Sequence, residues 1–404
     1  MSLRRTAKAD RKPFVLVDRA EAPVNVAILG GGFIAEAHAD AYRRCGARIV
    51  AACDKKGKLA RAVVAQAGGR VYTNAETFIK SETRMRRKER PDILVIALPN
   101  DLHEQYAMMA LEAGLCLDLE KPVATSVGGG MRIQAKSREL NVPVGVPSVY
   151  RFDFHVALAH WMIWKGYIGP VRAAFVEYIQ GWGLNGRGWR GQKKHNGPAG
   201  VMGDVGGTHA HNIFRWLTGI PLEAIRCNLR YDLKPLGEDT DDSMLISGYG
   251  KGDVSVRLTA SQTRHGNYAN TRRFEIAGSR GTLIFDSRRP KNLEWGRGAL
   301  TTFLPDDPGT ILKEFPNAAE FLQTVLFAKP GGDHFNADFG ESWGRYVRHL
   351  MADVRKFKLG TFNADRPGPY ATIDDGVEQL RLISLALLSH SLGGGLISWR
   401  TAVE

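Results

Sequence analysis

The chain has 404 residues, is 44% hydrophobic and carries a formal net charge of +13, which suits two packed domains, or one large one with a lobe, and a sizeable core. No apolar run reaches the roughly 20 residues that span a bilayer. The four cysteines, Cys45, Cys53, Cys116 and Cys227, form no CxxC pair, so zinc spacing is absent, no metal is expected, and buried thiols in a reducing, cytoplasmic setting are.

Residues 1–23 read as a basic tail. Arg4-Arg5 suggests twin-arginine export, but Lys8, Asp10, Arg11 and Lys12 follow where that signal needs an apolar stretch. A run of β-branched and apolar residues, 24–29, ends in three glycines and is followed by a helical pattern, Ala35, His38, Ala39, Tyr42. Short apolar runs at 49–53, 93–98, 116–119 and 142–146 read as strands, with a helix at 106–113. Strands alternating with helices predict a doubly wound parallel sheet over 24–150, with ligands at the strand C-terminal ends. A second cluster of positive charge, Arg84, Arg86, Arg87, Lys88 and Arg90, precedes Pro91 and a core strand, as a solvated connection does. Neither basic segment carries a nucleic-acid motif, so the expected partner is a small molecule, with no nucleic acid and no membrane.

The pattern changes after Tyr150. Helices are predicted at 156–165 and 209–217, and strands at 171–180, 224–231, 243–249, 254–262, 273–277 and 282–285, most of the later ones joined by short connections. Residues 151–404 therefore read as an α+β domain with a large, open, mainly antiparallel sheet. A last helix, 374–392, stops at Gly393-Gly394-Gly395.

Gly30-Gly31-Gly32-Phe33-Ile34-Ala35 matches G-x-G-x-x-A between a strand and a helix. Gly30 permits the tight turn, Gly32 lets backbone approach a diphosphate, and the helix amides face it. Asp54 closes the next strand, where a carboxylate accepts hydrogen bonds from an adenosine ribose. It favours NAD, although Lys55 and Lys56 leave NADP open. Leu119-Glu120-Lys121-Pro122 ends another apolar strand. A lysine there is either paired or at work, and beside an oxidised nicotinamide it suits a group that exchanges a proton with a substrate hydroxyl as hydride moves. A plain Lys121–Glu120 surface pair is the alternative, and Pro122 is a candidate for a cis bond. Pro99, Asn100 and His103 follow the preceding strand, within reach of the nicotinamide ribose, although Asn100 or Asp101 could simply cap a helix.

His209 and Asn212 share a helix face beside Asp204 and several glycines, so a carboxylate–imidazole pair could orient a hydroxyl. A core histidine is the alternative. The stretch 181–203 is rich in glycine and carries Trp182, Trp189, Arg187, Arg190, Lys193, Lys194 and His195. Aromatic faces with polar donors suit a polyol ring, and a basic flap without substrate contact is the competing reading.

In order along the chain, GGGFIA, PNDLH, EKP, Tyr150-Arg151-Phe152, THAHN, FRWLTG, Asp239-Thr240-Asp241-Asp242 and Gly278-Ser279-Arg280-Gly281-Thr282 resemble the Gfo/Idh/MocA family of oxidoreductases. The resemblance implies a Rossmann domain followed by an open-sheet domain that often makes dimers or tetramers. It implies catalytic roles for Lys121, His209 and Asp204, a cofactor site of Gly30, Gly32, Phe33, Ile34, Asp54, Pro99, Asn100, His103, Glu120, Lys121 and Pro122, and substrate contacts from Arg151, Gln180, Trp182, Trp189 and Asn212. The family spaces its acid and histidine as D-x-x-x-H; here one more residue intervenes, which puts Asp204 in question unless Gly206-Gly207 bulges. Asn212 stands where many members have Asp. Tyr178 to Trp182 is similar to a branch that includes levoglucosan and inositol dehydrogenases, which favours an uncharged cyclic polyol, although the basic loop would also accommodate an acidic sugar or a sugar phosphate. The implied reaction is hydride transfer between NAD(P) and a secondary CH–OH of a sugar, anhydrosugar or inositol. The alternatives are NAD-dependent glycoside cleavage through a 3-keto intermediate, and a non-enzymatic NAD-binding regulator.

Overall fold

A computed structural model describes residues 23–400 except 67, 267, 290–291 and 327–338. The basic N-terminal segment predicted for 1–23 lies, but for its last residue, outside the described residues. The first layer alternates as its hydrophobic pattern requires: β1 (Asn25–Leu29), α1 (Phe33–Arg44), β2 (Arg48–Cys53), α2 (Gly57–Val64), β3 (Arg70–Tyr72), α3 (Ala75–Thr83), β4 (Ile93–Ile96), α4 (His103–Glu112), β5 (Cys116–Leu119), α5 (Val127–Glu139) and β6 (Val144–Val146). Strands buried along their whole length, such as Ile93-Leu94-Val95-Ile96, belong to a sheet covered on both faces. The strands lie in the order β6-β5-β4-β1-β2-β3, all parallel. The order reverses between β1 and β4, which opens a crevice at their C-terminal ends.

The second layer begins with α6 (Phe154–Trp164), apolar all round and buried, as a core helix must be. Then come β7 (Val171–Ile179), a one-turn α7 (Lys193–Asn196), α8 (His211–Thr218), β8 (Leu222–Arg230), β9 (Ser243–Gly250), β10 (Val254–Ser261), β11 (Thr271–Gly278), β12 (Thr282–Asp286), β13 (Asn292–Arg297) and β14 (Leu300–Pro305). The chain closes with α9 (Pro308–Glu314), α10 (Ala319–Thr324), α11 (Phe339–Lys358), β15 (Ala371–Thr372), α12 (Ile373–Ser391) and β16 (Ile397–Ser398). Nine strands form one sheet in the order β14-β13-β12-β11-β7-β10-β9-β8-β16. Its pairings are antiparallel except for β7 with β10. In β8 exposed Arg226, Asn228 and Arg230 alternate with buried Ile225, Cys227 and Leu229, so one face packs on α12 while the other is open.

The packing does not divide at residue 150. β15 adds antiparallel to β6, and α11 packs on α1. Trp343 of α11 meets His38 edge-on, and Tyr346 donates to Asp118 at 2.6 Å. The sequence reading has no helix at 339–358, although Trp343, Tyr346, Val347, Leu350 and Val354 are an amphipathic stripe, all buried. It also has no helix at 127–139, where three glycines look like a breaker. They are there for close approach: a Cβ on Gly129 would sit 2.4 Å from Glu104, and one on Gly130 2.5 Å from Leu380 of α12. No helix among the described residues is long and apolar enough to cross a membrane.

Candidate active site

The glycine turn after β1 is held by contacts only glycine tolerates. Gly30 has φ +106°, and a Cβ there would lie 2.2 Å from the Ala97 carbonyl oxygen. A Cβ on Gly31 would strike Leu59, whereas one on Gly32 would meet nothing within 4 Å. Gly32 is the N-cap of α1, with no side chain to satisfy the first amides. An open approach in front of bare helix amides fits a dinucleotide diphosphate. Phe33 projects beside it, 83% exposed. Asp54 accepts from the Gly31 amide at 2.8 Å and the Lys56 amide at 2.7 Å, which fixes a carboxylate at the edge of this opening. Gly30, Gly32, Phe33, Ile34 and Asp54 are thus brought together around one opening.

Three residues expected near the cofactor prove to be occupied elsewhere. His103 is fully buried, with its two ring nitrogens 2.8 Å from the Pro122 carbonyl and 2.9 Å from that of Leu98. Burial pushes its pKa down, only partly offset by those carbonyls. It ties the end of β4 to the Lys121-Pro122 turn, whose peptide is cis. Asn100, the first residue of the turn after Pro99, donates to Asn196 Oδ1 at 2.5 Å, anchoring the long loop of the second domain. Glu120 turns inward, one oxygen on His38 at 3.1 Å and the other accepting the Lys121 amide at 3.2 Å.

Lys121 leaves this strand end and crosses to the second domain. Its Nζ donates to Asp204 Oδ1 and to the Asp204 carbonyl, both at 2.9 Å. The surface pair with Glu120 is therefore not formed. Asp204 and His209 lie on a π-helical segment, Met202–Ala210. Bonding i to i+5 stacks residue i over i+5, as an α-helix stacks i over i+4. The extra residue between Asp204 and His209 is thus absorbed by the helix geometry, with Asp204 bonded to Lys121. Gly206 and Gly207 make the wider coil possible: a Cβ on either would press Met244 or Ile383. Burial pushes the Asp204 carboxylate up, but Lys121, then Arg190, and the Gln262 amide hold it well below the usual range. Gln262 donates to Asp204 Oδ2 at 2.6 Å, and Arg190 stands 3.7 Å from the same oxygen.

His209 stacks on Tyr178 and meets Tyr150 edge-on, and the two phenols are bonded at 2.9 Å. Arg272 lies over the Tyr150 ring and pairs with Asp153. Burial, then the Lys121 ammonium, hold the His209 imidazole well below its ordinary pKa, so it is neutral.

The stretch 181–203 is not a loose flap. Arg187 is buried, bonded to Glu238 through its amide and guanidinium and to Asp241, Thr240 and Gln262. Trp182 stays 48% exposed and donates its indole N–H to Gln180 at 2.9 Å. Arg190 lies 4.3 Å above the Trp189 ring. Gln180 itself is spent on Trp182, Gln262 and Asn270, so it orients Trp182. Arg151 and Asn212 are also not presented to a substrate: Arg151 donates to Asn212 at 2.8 Å and to Asp375, and lies over Trp216. A buried charge needs partners, and Arg151 finds its counter-charge in Asp375 and a further acceptor in Asn212. Sequence pattern gave no sign of Gln262, which follows the alternating apolar and polar strand β10, or of Arg190 as a partner of Asp204.

The chain from 24 to 148 matches the family described as "Oxidoreductase family, NAD-binding Rossmann fold", and 156–284 matches the GFO/IDH/MocA C-terminal domain. The chain belongs to the Gfo/Idh/MocA family. Its glycine opening is therefore that of an NAD-binding Rossmann domain, and the protein is an NAD-binding oxidoreductase. It is 30% identical to levoglucosan dehydrogenase of Pseudarthrobacter phenanthrenivorans over 67% of this chain and 75% of that protein. It is 27% identical to the D-glucoside 3-dehydrogenase of Escherichia coli over 49% of this chain and 55% of that one. The fold also superposes on an inositol dehydrogenase homolog from Azotobacter vinelandii complexed with NAD+, with TM-score 0.81, 21% identity, and 95% and 100% of the two chains covered.

Proposed function

We propose that the enzyme oxidises a secondary CH–OH of a cyclic sugar, anhydrosugar or cyclitol, or reduces the corresponding ketone. The observation that carries this is Lys121, held by Asp204 of the other domain, facing a neutral His209 at the strand edge where the nicotinamide would lie. NAD, held at the glycine turn and Asp54, would supply the hydride acceptor or donor. Lys121 has three ammonium hydrogens, and two are accounted for by Asp204, which leaves one direction toward a substrate oxygen. His209, neutral, exchanges a hydrogen bond with the same oxygen without bringing charge; in ketone reduction the third Lys121 N–H is given to the carbonyl oxygen as hydride reaches the carbon, and in the oxidising direction the uncharged amine of Lys121 takes the hydroxyl proton as hydride leaves the carbinol. Trp182 and Trp189 offer ring faces to a polyol. Names of relatives, levoglucosan and glucoside dehydrogenases, support a neutral sugar ring. NAD is preferred over NADP because Asp54 occupies the ribose position and would repel a 2′-phosphate.

The open sheet face is where a second copy of the chain would pack: it mixes apolar Leu245 and Tyr249 with Arg257 over Phe175 and with Arg273 between Glu177 and Glu275. A reducing compartment fits the four cysteines, all unpaired.

The test is an absorbance screen at about 340 nm, with NAD and NADP offered separately against inositols, levoglucosan, aldoses, uronic acids and methyl glycosides. Steady nicotinamide reduction with one neutral polyol class is expected. A flat trace, with tight NAD binding by calorimetry, would turn the reading toward glycoside cleavage or regulation.

A further inference from the structure

Beneath the Lys121 turn lies a buried polar cluster that the reaction as described does not use. His38, on α1, has Nδ1 2.9 Å from Asp118 and Nε2 3.1 Å from Glu120. All three side chains are at most 8% exposed. Asp118 and Glu120 are two apart on one strand end and share a face, so two carboxylates face one imidazole. A neutral imidazole has a single N–H and would satisfy one of them. Burial pulls the His38 pKa down, but Asp118 and then Glu120 outweigh it and push it up to about 9. Trp343 of α11 meets the ring edge-on, and Tyr42 of α1 and Tyr346 of α11 reach its Asp118 partner; none of the three brings a charge.

The two carboxylates are not equally secured. Asp118 also accepts from Tyr42 at 3.0 Å and Tyr346 at 2.6 Å. Among the described residues, the Glu120 carboxylate takes one side-chain donor, His38, and one amide, that of Lys121. If His38 loses its second N–H, Asp118 keeps two hydroxyls and the Glu120 side is what gives.

We propose that His38 is a positioning residue for Lys121: bridging Asp118 and Glu120, it holds the Glu120 carboxylate on the Lys121 amide and so sets where the lysine enters the site. This rests on the reading of Lys121 as the proton-handling group. A positively charged strut, 83 residues from Lys121 in sequence, thus acts on the reaction without touching substrate or NAD.

The experiment is a cycle of His38→Gln and Lys121→Ala, read by single-turnover hydride transfer and by NAD affinity. His38→Gln is expected to lower the rate on the order of a hundredfold, as an ångström-scale misplacement does, with NAD affinity kept. In the Lys121→Ala background it is expected to lower the rate no further, because the two act through one group. Adding Glu120→Gln to His38→Gln should recover part of the rate, since an amide pair replaces a stranded carboxylate. Wild-type turnover in His38→Gln, or an equal loss with and without Lys121, overturns the proposal. If Lys121→Ala itself keeps turnover, the parent reading fails, a result distinct from an intact His38→Gln beside an inactive Lys121→Ala. Should His38→Gln not fold, Glu120→Gln reads the same link, and its loss must likewise vanish without Lys121.

Discussion

Lys121 and Asp204 come from different domains, and each satisfies the other's charge in a site that admits little water. That pairing is what makes the lysine testable apart from the cofactor. Lys121→Ala should cut turnover by about 10²–10⁴-fold, the usual contribution of a positioned acid or base, with NAD affinity by calorimetry unchanged. Loss of NAD binding as well would make the lysine structural. Asp54 presents the opposite case. Its oxygens already hold the Gly31 and Lys56 amides, so Asp54→Ala should weaken NAD by about tenfold, the scale of one charged hydrogen bond. NADP, freed of repulsion, should suffer less; an unchanged NAD-to-NADP affinity ratio contradicts the ribose assignment. Residue types and their places at strand ends suggested both roles. They could not show that His103, Glu120, Arg151 and Asn212 are consumed by buried partners, because those partners lie far off in sequence.

The π-helical segment and the loop before it are where a local pattern met a long-range demand. By α-helical periodicity Asp204 and His209 are out of step, and only the wider coil aligns them. The loop is fastened by Arg187 and Glu238, whose side chains are 0% and 6% exposed. Removing one partner of such a pair strands the other charge. Arg187→Met should therefore cost about 3–5 kcal/mol in urea unfolding, and Arg187→Met with Glu238→Leu should regain most of it. A double variant no more stable than Arg187→Met would mean that the pair is not what fastens the loop.

Buried histidines of opposite tendency give the molecule a stability maximum near neutral pH. His209, His211 and His349 are all pushed down, first by burial, His211 to about 3 and His349 to about 4. Below pH 6.5 the unfolded chain takes up protons that the fold refuses, so stability falls as pH drops from 6.5 toward those values. His38 runs the other way: its contribution is complete below 6.5 and is lost as pH rises through about 9. Each group tilts stability by up to about 1.4 kcal/mol per pH unit. The urea midpoint should peak between these limbs. His38→Gln should flatten the alkaline limb and His211→Gln part of the acid one; an unaltered alkaline limb in His38→Gln would show that the ring is not charged in the fold.

Residue pattern alone specified the layers and pointed to chemistry at the strand ends. Apolar runs of period two or none, glycines at a strand–helix turn, and acids or a lysine just past a strand are local signals, and local signals survive without the fold. It also carried the family, through short motifs in order. Tertiary structure alone decided how those parts meet. α11 and β15 return to the first layer because the stripe on α11 must be buried, and nothing local names its partner. The glycines of 128–130 look like a breaker until the neighbouring helices are in place. Whether Asp204 and His209 face the same way depended on a helix type that short-range propensity does not favour, with glycines packed close on Met244 and Ile383.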